Sequence, residues 1–392
     1  MPARDTQSTA SPDGRGPDAI RVGLLYSLTG SLATTEASIH QGAELAVAEV
    51  NAAGGIDGRP LVAITADYES DTTVAAKKVA ALLRDDRVHA CIGGYTSASR
   101  VAMLPALHRH GGLLVYSTYY EGLEADPRVI YAGAVPNQFL DDYMQWVFAT
   151  LGRRIYMVGS DYVYPRALGA IIQRLAADAG AQIVADRYVP LGETDLSAQV
   201  AELDVLRPDV VISNLVGAGS VGSFYRGFHE AGHRAATLPI AATVTTEVEV
   251  DAIGAAYAEG HFMTATYFGS LGNAANRRYV EAMRGRFGPD AVTHVPQVGA
   301  YNAVHLFARA AAGASRLDAD ELRRRLVGAT FAENPEGHPI TVSENGHTNH
   351  PSYIGRGRAD GQFDVIAEYP PRAPAPYHRS IVNPQRRPAT TA

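Results

Sequence analysis

The chain has 392 residues, of which 46% are hydrophobic and 19% are charged, and its formal net charge is −7. This length exceeds one ordinary domain, so we expect two domains, each with its own hydrophobic core. The negative charge argues against nucleic acid as the main partner, because phosphate binding requires a basic surface. No stretch approaches 18 uninterrupted apolar residues, so no membrane span is predicted.

The first 19 residues are polar and rich in Pro, Gly and Asp, without the apolar segment that a signal peptide needs. We expect a disordered tail there and a cytoplasmic protein, or a periplasmic or extracellular one if an export signal is missing from the sequence. The single cysteine, Cys91, lies in an apolar run and is predicted to be a core residue. One cysteine cannot form an internal disulfide, which leaves the redox compartment open.

Short apolar strands alternate with amphipathic helices from residue 20 onward. The first series has predicted strands at 20–26, 61–66, 88–92 and 113–116, and predicted helices near 41–50 and 73–83. Ser97 or Ser99 is expected to cap the helix that follows the third strand. This alternation is typical of a doubly wound parallel α/β sheet.

A second series begins at Ile155, where an apolar strand ends in a Gly-Ser-Asp turn and Pro165 suits the first turn of a helix. Further predicted strands and helices alternate up to residue 327, with Gly180 and Gly232 as helix C-caps, and a hairpin is expected around residues 360–361. We therefore expect two lobes and a tail. Lobe 1 comprises 20–135 and about 265–332, lobe 2 comprises 136–264 and about 333–370, and the tail comprises 371–392.

Tyrosines recur where the predicted strands end. These are Tyr95, Tyr116, Tyr119, Tyr120, Tyr162, Tyr164 and Tyr267, accompanied by the hydroxyls of Ser97, Ser117, Thr118 and Ser160. Ligands of parallel α/β sheets bind beyond the carboxyl ends of the strands, and clefts between domains are common ligand sites. Hydroxyl groups satisfy both the carbonyl and the N–H groups of an amide or urea without burying a charge.

Two alternatives stay open at this point. A free amino acid would call for a carboxylate near its ammonium group, which Asp161 or Glu247 could supply. Tyr162 and Tyr164 could also simply cover the edge of the sheet, as aromatic clusters often do.

Three further patterns favour structural interpretations. Residues 217–222 match G-x-G-x-x-G after a strand, but the acid that would bind a ribose is missing, so we interpret the glycines as allowing close backbone approach. His347 and His350, with His338 nearby, lack the partners of a known metal motif and are predicted to be solvated. No nucleophile motif is present, so no catalysis, metal or cofactor is predicted.

The chain resembles the type I periplasmic-binding-protein family, and within it the branch that binds amides and urea. The most specific block is residues 159–166, Gly-Ser-Asp-Tyr-Val-Tyr-Pro-Arg, supported by residues 120–122, 136–138 and 267–270. Tyr95 looks like the amide-sensing members, whereas residues 96–100 and 358–363 look like the urea binders. Tyr119 stands where the amide sensor has proline, so its larger side chain is expected to narrow the pocket or add a hydroxyl.

The resemblance implies two lobes that close on a ligand like a hinge. It implies ligand binding by Tyr95, Ser97, Tyr116, Thr118, Tyr162 and Tyr164, to which we add Thr96, Tyr119, Ser160, Val216 and Tyr267 as further candidates. The leading expectation is a cytoplasmic sensor of short amides or urea that controls an antiterminator or similar regulator protein. The alternative is the substrate-binding component of an ABC transporter, working with a permease on urea, amides or branched-chain amino acids. Either role leaves oligomerisation open.

Overall fold

The computed structural model describes residues 19–382, so residues 1–18 and 383–392 lie outside the described part of the chain. Three sheets form within it. The first contains β1 Ile20–Tyr26, β2 Leu61–Asp67, β3 Ala90–Gly93, β4 Leu114–Tyr116 and β5 Val129–Tyr131. The second contains β6 Arg154–Ser160, β7 Gln182–Val189, β8 Val210–Asn214, β9 Ile240–Ala242, β10 Phe262–Ala265, β13 His350–Gly357 and β14 Phe363–Arg372. A small third sheet pairs β11 Thr330–Phe331 with β12 Ile340–Thr341.

The first sheet is parallel throughout, in the order β2-β1-β3-β4-β5, and the second has the order β14-β13-β10-β9-β8-β6-β7. Strands β13 and β14 are antiparallel to their neighbours, so the predicted hairpin at residues 360–361 adds an antiparallel edge to a parallel sheet. An added antiparallel edge strand is common in doubly wound folds. Both sheets therefore have the predicted α/β class.

Helices flank both sheets. They are α1 Ala33–Ala52, α2 Thr72–Arg84, α3 Ser97–His110, α4 Pro136–Thr150, α5 Val163–Asp178, α6 Ser197–Leu206, α7 Ala218–Glu230, α8 Glu247–Ile253, α9 Ala255–Ala258, α10 Ala274–Phe287, α11 Val295–Ala311, α12 Ala319–Leu326 and α13 Arg379–Val382. None of these helices of the described chain is both long and apolar enough to cross a membrane.

The chain passes between the two sheets three times. After β5 it enters the second sheet, where α4 packs on β10 and β13. After β10 it returns, and α10 and α11 pack against α1. After α12 it joins the second sheet again as β13 and β14. We call the first sheet with α1–α3 and α10–α12 lobe 1, and the second sheet with α4–α9 lobe 2.

The β6–α5 unit forms as the sequence predicts. Residues 155–160 are buried, and Pro165 is the third residue of α5, where the absence of its N–H leaves no helical hydrogen bond unmade. The C-caps of α5 and α7 are Ala179 and Ala231, and the predicted Gly180 and Gly232 each follow one residue later in the left-handed region, with φ of 66° and 91°. Cys91 is fully buried, confirming it as a core residue, and burial raises the pKa of its thiol to about 12.

The histidines predicted to be solvated are mostly buried, so that prediction was wrong. His347 stacks on the ring of Tyr131 at a centroid distance of 4.3 Å, and its Nε2 lies 2.6 Å from the hydroxyl of Tyr120. The Nδ1 of buried His350 lies 2.8 Å from a carboxylate oxygen of Glu336. Aromatic and carboxylate partners from distant segments bury these polar rings. No metal-binding group of three or more His, Cys, Asp or Glu occurs within residues 19–382.

The segment from residue 371 differs from the tail expected there. Strand β14 continues to Arg372, whose guanidinium pairs with Asp142 at 2.7 Å. Nε2 of buried His378 lies 2.8 Å from Oδ1 of Asp141. Two carboxylates on α4 therefore hold this segment against lobe 2 at Arg372 and His378.

Candidate ligand-binding cleft

A small cavity with a volume of about 10 Å³ lies between the lobes, beyond the ends of β3, β4, β6 and β9. Its walls are Tyr95, Ser97, Thr118, Tyr119, Tyr162, Tyr164 and Val244. The first four residues belong to lobe 1 and the last three to lobe 2. We call this space the tyrosine cavity. Because both lobes form its walls, a ligand held there would contact both.

A second cavity, with a volume of about 10 Å³, lies on the other side of Tyr119. Its walls are Tyr119, Ala134, Phe139, Thr243, Thr264, Ala265 and Thr266. Residues 132–135 and 266–273 connect the lobes, so this space lies beside two of the three crossings. We call it the hinge cavity.

Two hydroxyl groups of lobe 1 already donate their hydrogens to other groups of the protein. Ser97 Oγ donates to Glu121 Oε2 at 2.5 Å and accepts from Arg100 at 3.3 Å. Thr118 Oγ1 donates to the carbonyl oxygen of Gly94 at 3.2 Å. A hydroxyl has one hydrogen and two lone pairs, so both groups offer the tyrosine cavity acceptors rather than donors.

Arg100 and Glu121 form a buried support behind Ser97. The guanidinium of Arg100 is 1% exposed, lies 4.3 Å from the ring centroid of Tyr120, and pairs with Glu121 and Glu124 at 3.1 Å each. An aromatic face and two carboxylates offset the cost of burying this cation. No local sequence pattern predicts this cluster, because Arg100 and Glu121 are 21 residues apart.

Two phenols complement these acceptors. The hydroxyls of Tyr119 and Tyr164 are buried without a well-formed hydrogen bond, that of Tyr164 having only a side-chain interaction with Thr243, and their ring centroids are 6.0 Å apart. Burial raises the pKa of both phenols well above the ordinary value, so both stay protonated and able to donate. A buried donor without a partner costs free energy, and a ligand oxygen would satisfy it.

Five predicted site residues lie outside both cavity walls. Tyr116 is behind Tyr95, to whose carbonyl oxygen it donates at 2.6 Å, and Tyr267 donates to Asn276 at 2.7 Å. Thr96, rather than Ser97 or Ser99, caps α3 by accepting from the N–H of Ser99. Ser160 accepts from the N–H of Val216 at 3.0 Å. Tyr116, Thr96 and Ser160 thus bond the backbone around the cleft, and Tyr267 bonds side chains instead. The predicted residues that the structure does bring together are Tyr95, Ser97, Thr118, Tyr119, Tyr162 and Tyr164.

Neither of the two carboxylates proposed to pair with the ammonium group of a free amino acid lies on the described cavity walls. Asp161 is about half exposed and pairs with Arg166 at 2.5 Å. Glu247 is buried and accepts from the N–H of Gly269 at 2.8 Å. The sequence prediction also missed Val244 and every wall of the hinge cavity except Tyr119, because those residues come from separate segments of the chain.

Two α/β lobes around a cavity at their strand ends define a small-ligand-binding protein with the α/β type I periplasmic binding protein fold. A family model described as "Periplasmic binding protein domain" matches residues 20–382. The chain therefore belongs to this family, as the resemblance in its sequence predicts at the level of the family.

Curated relatives and solved structures agree with this assignment. "Leu/Ile/Val-binding protein homolog 7" of Brucella melitensis is 23% identical over 379 residues, which cover 90% of this chain and 92% of the relative. A branched-chain amino-acid transporter substrate-binding protein from Streptococcus pneumoniae, in complex with isoleucine, has a TM-score of 0.78 at 21% identity and covers 90% of this chain and all of its own. An ABC transporter solute-binding protein from R. palustris, in complex with 4-hydroxybenzoate, has a TM-score of 0.83 at 17% identity, with coverage of 91% and 98%.

A shorter match involves "Limonene hydroxylase" of Geobacillus stearothermophilus, at 32% identity over 114 residues. It covers 29% of this chain and 21% of that protein, so the chain spans about a fifth of this relative's length. At these identities the solved structures support the fold alone, and membership of the amide and urea branch stays a prediction.

Proposed function

We propose that this protein is a non-catalytic substrate-binding component of an ABC importer, and that its cleft binds a short aliphatic amide or urea. The importer role is supported by what the similar structures are described as, namely substrate- or solute-binding proteins of transporters. The ligand class rests on one observation, which is the fixed direction of the Ser97 and Thr118 hydroxyls.

A primary amide fits this arrangement of donors and acceptors. Its NH₂ group can donate to the lone pairs of Ser97 and Thr118, and its carbonyl oxygen can accept from the phenols of Tyr119 and Tyr164. Urea offers the same groups with a second NH₂ in place of the alkyl chain. Every polar group of the primary amide then has a partner, and no net charge enters the cavity with either ligand.

A carboxylate ligand fits less well. The N-terminus of α3 begins at the cavity and by itself favours an anion. However, the cluster behind Ser97 contains one guanidinium, that of Arg100, and the two carboxylates of Glu121 and Glu124, so it offers an entering anion no net positive charge. A carboxylate oxygen would also meet the lone pairs of Ser97 and Thr118 instead of hydrogens. Sites built to receive a donor reject analogues that lack it, because buried polar groups are left unpaired.

Calorimetry with matched ligand pairs tests the ligand class. Acetamide, propionamide, butyramide and urea are compared with acetate, propionate and butyrate, and with leucine and 4-hydroxybenzoate. We expect binding of at least one amide or urea, with the matching acid at least about tenfold weaker, and no release of ammonia from the bound amide. If leucine or 4-hydroxybenzoate binds while no amide does, the neutral-ligand proposal is wrong.

The second candidate is the sensor role that the resemblance of residues 159–166 to amide-sensing regulators favours. A sensor and an importer component would use the same cavity, but only a sensor lets ligand change its affinity for a regulator protein. For this the ligand and the regulator must prefer different lobe arrangements, since equal affinity for both shifts nothing. Fractionation of the native host separates the roles: recovery with the periplasm supports the importer, and recovery with the cytoplasm supports the sensor.

A further inference from the structure

Tyr119 is the wall between the tyrosine cavity and the hinge cavity, and it is the residue that both cavities share. Its ring lies edge-on to Phe139 at a centroid distance of 6.1 Å on one side and tilted against Tyr164 at 6.0 Å on the other. Its hydroxyl is buried without a partner, so no hydrogen bond to the protein holds the ring in this position. The partition between the cavities is therefore a single aromatic side chain.

The hinge cavity has apolar character. Its apolar walls are the side chains of Ala134, Phe139 and Ala265. Two of the three threonines in its walls donate their hydroxyl hydrogens to other groups of the protein. Thr243 Oγ1 donates to Asn214 at 2.6 Å, and Thr264 Oγ1 donates to the carbonyl oxygen of Phe139 at 3.0 Å. Such a space suits the hydrocarbon part of a ligand whose polar end is held in the tyrosine cavity.

We propose that Tyr119 determines specificity by limiting the length of the ligand's hydrocarbon chain, and that the hinge cavity is a chain-binding subsite which this side chain keeps closed. The inference rests on the proposed function, because it takes the polar end of the ligand to lie between Ser97 and Tyr164. In the wild-type protein only a short chain fits in front of the Tyr119 ring. Without the ring, the two cavities join and a longer chain reaches Phe139 and Ala265.

Removal of the Tyr119 ring tests whether this side chain limits the length of the ligand. Ligands of two to six carbons are titrated into the wild type and into Tyr119→Ala, first as amides and then as the matching carboxylates. Each methylene that becomes buried strengthens binding by about fourfold. We therefore expect the wild type to lose affinity beyond the short chains, and Tyr119→Ala to prefer the longest chain, with hexanamide binding improved at least about tenfold over the wild type.

Three variants control the interpretation. Tyr119→Phe loses the hydroxyl and keeps the ring, so its chain-length preference should match the wild type even where its affinity falls. Tyr119→Leu, which keeps a smaller apolar wall, serves if the alanine variant does not fold. Tyr119→Ala combined with Ala265→Leu refills the hinge cavity and should abolish the gain for long chains.

The outcomes separate this inference from the proposed function. If the wild type binds none of the amides but binds carboxylates, the amide proposal fails, and the chain-length comparison is still made in the carboxylate series. If folded Tyr119→Ala or Tyr119→Leu keeps the wild-type order of chain lengths in the series that binds, the assignment of Tyr119 is overturned. If Tyr119→Phe shifts the order as much as the alanine variant, the hydroxyl rather than the ring sets the length, and the assignment is equally overturned.

Discussion

Thr35 and Glu249 join the two lobes across the cleft: the hydroxyl of Thr35, on α1, donates to Glu249 Oε1, on α8, at 2.8 Å. Both side chains are buried. The other carboxylate oxygen of Glu249 accepts from the N–H and the hydroxyl of Thr246 at 2.9 and 2.5 Å. Since Thr35 belongs to lobe 1 and Glu249 to lobe 2, this hydrogen bond would break if the lobes moved apart.

Thr35→Val is expected to shift the protein toward an open arrangement. The change keeps the shape of the side chain but leaves a buried carboxylate oxygen unpaired, at a cost of about 1–3 kcal/mol that opening relieves by hydration. Closure on ligand then costs more, so we expect affinity to fall by about tenfold and the unliganded protein to have a larger radius of gyration in X-ray scattering. Thr330→Val is the control, because its hydroxyl bonds Thr341 within the small third sheet. An unchanged radius and affinity in Thr35→Val would contradict the role of this contact in closure.

Tyr164→Phe should change stability and ligand affinity in opposite directions. Its hydroxyl is buried without a well-formed hydrogen bond, because the neighbouring Thr243 donates to Asn214, so its removal should leave the melting temperature of the unliganded protein unchanged or raised. The same removal should weaken amide binding by about 1 kcal/mol or more, because the ligand carbonyl loses a donor. Tyr143→Phe is the matched control, since its hydroxyl is also buried and unpartnered but lies on α4, outside both cavity walls. A loss of affinity in both variants would mean that Tyr164 does not act through the ligand.

Much of the tyrosine cavity could be predicted from the sequence because strand ends of a parallel sheet share one edge. Tyr95, Ser97, Tyr162 and Tyr164 follow strands directly, and no knowledge of distant contacts is needed to place them at that edge. Tyr116 shows the limit of this reasoning. It ends β4, but its ring lies 4.7 Å from the guanidinium carbon of Arg100 and its hydroxyl is used by the backbone of Tyr95.

The hinge cavity and the buried support of Ser97 were beyond prediction for a physical reason. Phe139, Thr264 and Ala265 look like ordinary core residues, and they meet Tyr119 because two crossings between the lobes run side by side. Glu121 has no charged neighbour in sequence that would mark it, and Arg100 reaches it from α3. Both features depend on tertiary packing, which local propensity and periodicity do not encode.

Glu247 should make stability fall as the pH rises. Burial raises the pKa of its carboxyl from 4.5 to about 8, and the N–H of Gly269 only partly offsets this. Between these two pKa values the folded state holds a proton that the unfolded state has released, so stability is full below about pH 4.5 and is lost as the pH rises through about 8. One pKa unit corresponds to about 1.4 kcal/mol, so the loss amounts to a few kcal/mol.

Glu247→Gln stays uncharged and should lose this dependence. Melting temperatures of the wild type and the variant are measured from pH 5 to pH 8.5, and their difference isolates Glu247 from other buried groups such as Glu36, whose pKa burial raises to about 7. We expect the variant to gain stability over the wild type with rising pH. Glu281→Gln, on the exposed face of α10, should leave the wild-type profile unchanged. Parallel profiles for the wild type and Glu247→Gln would show that this carboxyl does not titrate across the range.

Glu121→Gln should relax the discrimination between an amide and its matching acid. In the wild type the Glu121 carboxylate draws the hydroxyl hydrogen of Ser97 away from the cavity. A glutamine side chain can instead donate its own N–H to Ser97 Oγ, which frees the serine hydrogen to turn toward a ligand oxygen. It also removes the negative charge behind the site. We expect the ratio of butyrate to butyramide dissociation constants to fall by about tenfold.

Glu124→Gln is the control that separates hydroxyl direction from charge. Glu124 pairs with the same Arg100 at 3.1 Å, so its replacement removes one negative charge from the same cluster. Ser97 keeps its hydrogen bond to Glu121 in this variant, and the ratio of dissociation constants should stay close to the wild-type value. Equal changes in both variants would assign the discrimination to net charge, and no change in Glu121→Gln would overturn the argument that the direction of the Ser97 hydroxyl selects the ligand.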